Sequence, residues 1–339
     1  MTRRPLPEAL GAAFSVREAR EAGMTRWRTR GPDLRSTAYG ARSRLDIARD
    51  PDPDRPPVAR ERDRVLARAR ELATVLSEHA FFAGITAAMV HGIPLPAHQH
   101  SEPWRRAASG PRELRPLVVG VHKPRSVVRR ANVRGIHVDP ALAPVVEVDG
   151  MRVTDRAATW AMLGTELEER DLVIAADHLI RIPRHPGGFR PPERAAYATR
   201  DQLTAAIGRR RGAERLRRAL ARARTGASSP RETELRLILV EAGLPEPKLD
   251  YDVVAPDGSF VACLDLAYPA LRVGIEYDGS GHRTQAQFER DIAKREWLSD
   301  LHWDVVHFTA ADFRGRRDPS VWITKRVRDA IARQERGKV

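Results

Sequence analysis

The chain has 339 residues, in which 59 Lys and Arg outnumber 45 Asp and Glu, for a formal charge of +14 and a pI near 10.8. That balance favours anionic partners, DNA first among them, although an arginine-rich chain from a GC-rich genome drifts basic without any such partner. A single cysteine, Cys263, excludes an intrachain disulfide and a cysteine-based zinc cluster. No apolar run nears the roughly 18 residues of a membrane span, and Met1 to Leu10 lacks the apolar core of a signal peptide, so a cytoplasmic protein with no membrane partner is expected.

The length suggests two or three domains. Ser15, with Glu18 three residues on, predicts a capped helix to Ala22; Gly23 breaks it, and Thr25 to Arg30 reads as a second helix before Gly31 and Pro32. Two short helices about a glycine are the helix-turn-helix pattern, and the second carries Arg26, Arg28 and Arg30 as candidate DNA contacts. Ser36 to Ser43 is expected to form a hairpin wing, which assigns residues 1–50 to a winged helix-turn-helix. A helical hairpin with a solvated basic face would look the same.

The proline-rich stretch up to Pro57 marks a linker. Beyond it, helical spacing from Glu61 to Leu76 and from Ile85 to Val90 precedes short strands at Val118 to His122, Val127 to Val128, Ile136 to Val138 and Val145 to Val148. Helices at Asp155 to Leu163 and Glu168 to Ile180 complete a mixed α/β domain over 58–200. His91, His98, His100, His178 and His185 lack metal-ligand spacing and are expected on loops or the surface. Residues 201–226, with the run Arg209 to Arg224, read as a basic helical linker that either tracks phosphates or joins two domains.

The last segment, 227–339, carries the chemistry. Ser229 and Pro230 start a helix that ends at Gly243. Strands follow at Lys248 to Val254, Phe260 to Ala267, Arg272 to Tyr277 and Asp304 to Phe308, with a helix from Ala286 to Leu301 before the last. Asp265 and Glu276 each interrupt an otherwise apolar strand, which is costly unless the carboxylates are paired or hold a cation. A hard divalent ion, Mg²⁺ or Mn²⁺, suits such oxygen donors and could activate water against a phosphodiester.

Asp265, ten intervening residues and then Glu276 to Asp278 resembles the PD-(D/E)xK nuclease superfamily. In detail, "SPRETELR", "LDLAYP", "GIEYDGSGHR", "RDIAKREWL" and "WDVVHFTAADF" are similar to restriction-endonuclease-like domains related to the very-short-patch-repair endonuclease. The resemblance implies that Asp265 and Glu276 ligate the metal and that Glu232 binds it through water or orders the site. It implies His282 as general base or phosphate contact, Asp291 as the holder of His282 or of a ligating water, and Arg295 as a partner of Asp291 or a phosphate clamp. Asp278 stands where the superfamily places lysine; Lys294 on the following helix is a candidate substitute that nothing in the sequence places. Ordinary readings stand beside these: a turn at Asp278, a loop histidine at His282 and a helix salt bridge between Asp291 and Arg295.

Upstream, "FSVREAREAGMTRWRTRGPDLRSTAYGAR", "ITAAMVHGIPLP" and "VTDRAATWAMLGTELEERDLVIAADHLI" resemble the AbiEi type of antitoxin and transcriptional repressor. The expected whole is therefore a multidomain α/β (α+β) chain: winged helix, middle α/β domain and restriction-endonuclease-like core. Two functions follow as expectations, a Mg²⁺-dependent DNA endonuclease or an AbiEi-like DNA-binding protein with an inactive nuclease-like domain. The second would bring a toxin partner, and either allows a homodimer.

Overall fold

The computed structural model describes residues 5–36, 38–45, 55–100, 115–279, 285–314 and 318–337, with residues 57, 100 and 285–291 as backbone. The described residues form a mixed α/β protein with eleven α-helices and three sheets. No helix among them is long and apolar enough to cross a membrane.

Two compact units divide the chain, and neither is one continuous segment: residues 1–167 with 202–213, and residues 168–201 with 214–339. The first unit opens with β1 (Ala13–Ser15), α1 (Val16–Glu21), β2 (Leu34–Arg35) and β3 (Ala41–Arg44), joined in an antiparallel sheet of order β1-β3-β2. The Ser15 and Glu18 capping box forms as expected, with Glu18 N donating to Ser15 Oγ at 3.0 Å. The second helix does not extend over Thr25 to Arg30: only a single 3₁₀ turn, Arg28–Arg30, forms before Gly31 and Pro32. The hairpin is present, its strands flanking a turn rather than filling 36–43.

The rest of this unit comprises α2 (Pro57–Ala73), β4 (Ala80–Phe82), α3 (Gly84–His91), α4 (Ala97–His100), β5 (Leu117–His122), β6 (Val133–Val138), β7 (Val145–Val148), β8 (Met151–Thr154) and α5 (Arg156–Met162). Its five strands order as β6-β5-β4-β8-β7. Val127 and Val128 lie outside the ladder. A Cβ on Gly135 of β6 would sit 2.3 Å from the Val128 carbonyl oxygen, so this segment presses on the strand beside it. His91 is not a surface residue: it is 8% exposed and its Nε2 lies 2.7 Å from the Thr154 carbonyl. Burial lowers its pKa, against the pull of that carbonyl.

The second unit contains α6 (Glu169–Ile180), the start of α7 (Arg200–Ile207), α8 (Ala213–Arg222), α9 (Pro230–Glu241), β9 (Lys248–Val254), β10 (Phe260–Tyr268), β11 (Val273–Asp278), α10 (Gln285–Asp300), β12 (Asp304–Thr309) and α11 (Pro319–Arg336). The strands order as β12-β11-β10-β9; the first three in sequence form an antiparallel meander, and β12 returns parallel to β11 after α10. Leu235, Ile238 and Leu239 of α9 and Ile323 and Val327 of α11 pack with Leu266, Val273, Ile275, Val306 and Phe308 on one face. Leu298 of α10 packs with Val253, Ala262, Leu264 and Ala267 on the other. Each fully buried Leu or Ile contributes about 1.5–3 kcal/mol.

The units divide at other points than 200 and 226: α6 and α9 lie in the same one, joined by a buried ion pair. Asp177 and Arg236 are each 1% exposed, with Arg236 Nη2 donating to Asp177 Oδ2 at 2.9 Å. Thr233 Oγ1 and Arg224 N also donate to Asp177, at 3.0 and 2.7 Å. The basic stretch 201–226 is two helices, broken where Gly208 and Gly212 take positive φ values of 50° and 83°. Several of its arginines face acids of the same unit: Arg218 and Arg222 bond Glu169, and Arg224 bonds Glu246.

Candidate active site

The acidic pair sits where β10 and β11 part. Their register runs from Tyr268↔Val273 to Leu266↔Ile275, and one step further brings Asp265 level with Glu276. There the ladder stops, and Asp265 Oδ2 takes the place of a strand carbonyl, accepting from Tyr277 N at 2.8 Å. On the other side, β9 is irregular at the same level: Asp250 adopts φ 50°, a left-handed conformation that an Asp tolerates better than most residues. Side-chain alternation slips at this point, since Leu264 faces the α10 side of the sheet and Leu266 the α9 side.

Asp265 is a stressed carboxylate. Burial first, then Glu232 and Glu276, push its pKa up to about 7, while the Tyr277 amide and Lys294 pull it down. Glu232, in the first turn of α9, is 6% exposed and raised chiefly by burial. Its Oε2 accepts from Ser228 N at 2.6 Å, one residue ahead of the Ser229 cap, so Glu232 also ties down the chain that enters its helix. Glu276 bonds Lys294 Nζ, which reaches across from α10 and also donates to the Cys263 carbonyl at 3.0 Å. An ammonium carried by a helix thus stands beside Glu276, two residues before the carboxylate at position 278.

A cleft of about 450 Å³ opens on the α10 side, lined by Glu276, Asp278, Lys294, Arg295, Trp303 and His307, among others. Arg295 is exposed at its edge. His307 of β12 pairs in register with Glu276, and its Nδ1 lies 3.4 Å from Asp278 Oδ2 and 3.8 Å from Glu276 Oε2. Sequence reasoning passed over His307; aligning β11 with β12 residue by residue would have found it. His282 lies outside the described residues, and Asp291 is described as α10 backbone only.

Among the described residues no group of three His, Cys, Asp or Glu is arranged to enclose a metal ion. Asp265 and Glu276 nevertheless offer the oxygen donors a divalent cation takes, at a place where Glu232 and Glu276 raise the cost of charging Asp265 and Lys294 offsets part of it.

An arginine clamp supports the site from behind. Arg184 Nε donates to Asp250 Oδ2 and Nη1 to Asp252 Oδ2, both at 2.7 Å. The Cys263 thiol, pushed up by burial and then by Asp250, donates to Asp250 Oδ1 at 3.1 Å.

In the first unit, Arg26 and Arg30 are exposed, whereas Arg28 is held by Asp33 through a two-pronged contact at 2.9 and 2.6 Å. Arg28 is therefore part of the turn it stands on.

No family model matches the chain, and no solved structure matches it. Two relatives, uncharacterized proteins of Mycobacterium tuberculosis strains CDC 1551 and H37Rv, are each 29% identical over 144 residues, 41% of this chain and 52% of the relative. The chain spans about half the length of these curated relatives.

Proposed function

We propose that this protein is a metal-dependent DNA endonuclease of the PD-(D/E)xK type, acting through Asp265, Glu276 and Lys294. The observation that carries the reading is the buried Asp265, level with Glu276 at the parting of two strands, with Lys294 beside it. The order helix, three-strand meander, helix and parallel fourth strand supports it as well.

Asp265 and Glu276 would hold Mg²⁺ or Mn²⁺, with Glu232 tuning Asp265 from α9. When bound, the ion supplies charge neutralisation at the scissile phosphate and lowers the pKa of water. Lys294 fixes the Glu276 carboxylate and presents an ammonium to the cleft, where it can orient the attacking water and offset the charge of the pentacovalent phosphorus. Arg295 at the cleft edge is suited to a neighbouring phosphate. The basic first unit, through Arg26 and Arg30 rather than Arg28, would contribute DNA contacts.

One observation favours the second reading, a DNA-binding repressor or antitoxin without cleavage. Lys294 already neutralises Glu276, which is what an abandoned metal site would need to stay folded. Incubation of plasmid with the protein and Mg²⁺ or Mn²⁺, beside Asp265→Ala, separates the two. Metal-dependent nicking or linearisation lost in Asp265→Ala is expected. No cleavage with either metal, or equal cleavage by the variant, would sink the nuclease reading and leave salt-dependent DNA binding to be measured.

A further inference from the structure

The first unit holds a second cleft, of about 790 Å³, between α1, the 3₁₀ turn, the 39–42 turn and the end of α2. Six arginines line it, Arg17, Arg20, Arg26, Arg30, Arg42 and Arg130, and among the described residues no carboxylate does, although Glu21 pairs with Arg17 at 3.7 Å from outside the lining. Two of these are anchored on neutral acceptors. Arg42 Nη1 donates to Ser36 Oγ at 3.1 Å and its Nε to the Thr29 carbonyl at 2.5 Å. Arg130 donates to the Tyr39 and Val75 carbonyls at 2.9 and 3.2 Å. Neutral anchors fix a guanidinium without cancelling its charge, so the cleft is pre-organised for an anion.

Tyr39 also lines the cleft and is 93% exposed; Trp27, next in the chain to Arg26, is 85% exposed. An aromatic ring left in water beside fixed cations is what an unpaired base needs, because stacking requires a free face. A duplex keeps its base faces stacked inside, out of reach of Tyr39, and the helical pieces beside this cleft are short: α1 has six residues and the 3₁₀ turn three.

We propose that this cleft binds single-stranded nucleic acid, its phosphates on the arginines and a base against Tyr39. The unpaired strand, rather than intact duplex, is then what the first unit delivers or holds. This rests on the reading that the protein acts on nucleic acid.

The test is fluorescence anisotropy of the full chain in EDTA, with a labelled oligothymidine of about 16 nucleotides and a blunt duplex of equal length. The strand is expected to bind at least about tenfold more tightly than the duplex. Tyr39→Ala should weaken strand binding about tenfold, the effect of losing one stacked base, with duplex binding unchanged. Arg20→Glu, at an exposed position, should flatten the salt dependence by about 0.7 or more in the log–log slope, one phosphate's worth. Equal affinity for strand and duplex, or Tyr39→Ala binding within about twofold of wild type, would overturn the proposal, as would displacement of the strand by ATP at concentrations equal to the protein. Binding in EDTA is independent of cleavage, so failure of the nuclease site and failure of this cleft are read separately.

Discussion

At Lys294 the amine and the carboxylate it serves arrive from different layers, one from a helix and one from a strand. Replacing it removes both the ammonium and the counter-charge of Glu276. Lys294→Ala is expected to lower plasmid cleavage by about a hundredfold or more while circular dichroism stays native. Asp177 is a different case, since it touches no part of the cleft. Asp177→Ala strands the buried Arg236 guanidinium, and unfolding in urea should show a loss of about 3–5 kcal/mol. The acidic pair was legible in the sequence because each carboxylate breaks an apolar run. The roles of Lys294, His307 and Asp177 were not, because each depends on a partner 18 to 59 positions away that no local pattern announces.

Strands and helices show the same split between local and distant causes. The four strands of the second unit fall within a residue of their expected bounds, since alternation and turn residues define them locally. The helix expected at Thr25 to Arg30 shrinks to one turn because Gly31 and Pro32 stop it before an apolar face can form. Val127 and Val128 have strand composition but cross over β6 instead of pairing. Gly135→Ala should accordingly cost about 1–3 kcal/mol, seen as a lowered denaturant midpoint, because a backbone carbonyl has little room to retreat. The Arg184 clamp on β9 makes a pH-dependent prediction. Burial alone would raise the Asp252 carboxyl, but the Arg184 and Gly187 hydrogen bonds hold it below the usual Asp range. A depressed folded pKa means that the clamp stabilises above the unfolded value, about 3.9, and ceases to as pH falls through the folded one. Arg184→Ala should therefore lose about 2 kcal/mol at pH near 7 and little at pH near 2.5, by urea unfolding at both.

For the whole molecule, the division into two units bears on what can be cut from it. A fragment spanning 168–339 keeps Asp177 with Arg236 and Thr233, whereas one spanning 227–339, the boundary that composition suggests, removes Asp177 and leaves Arg236 buried without it. The first is expected to unfold cooperatively in urea, and the second to have a lower midpoint or none. The sequence could not show this, since α6 has the same amphipathic pattern whichever unit it joins. The Asp177 and Arg236 pair has a further consequence for a chain made from one end. The two residues are 59 positions apart, which at ribosomal speeds of about 5–20 residues per second separates their synthesis by roughly 3–12 s. For that interval the Asp177 carboxylate, buried in the finished protein, has been made without the arginine that offsets its charge there. Joining α6 to α9 therefore waits on the synthesis of the later helix, however fast the earlier part of the chain folds.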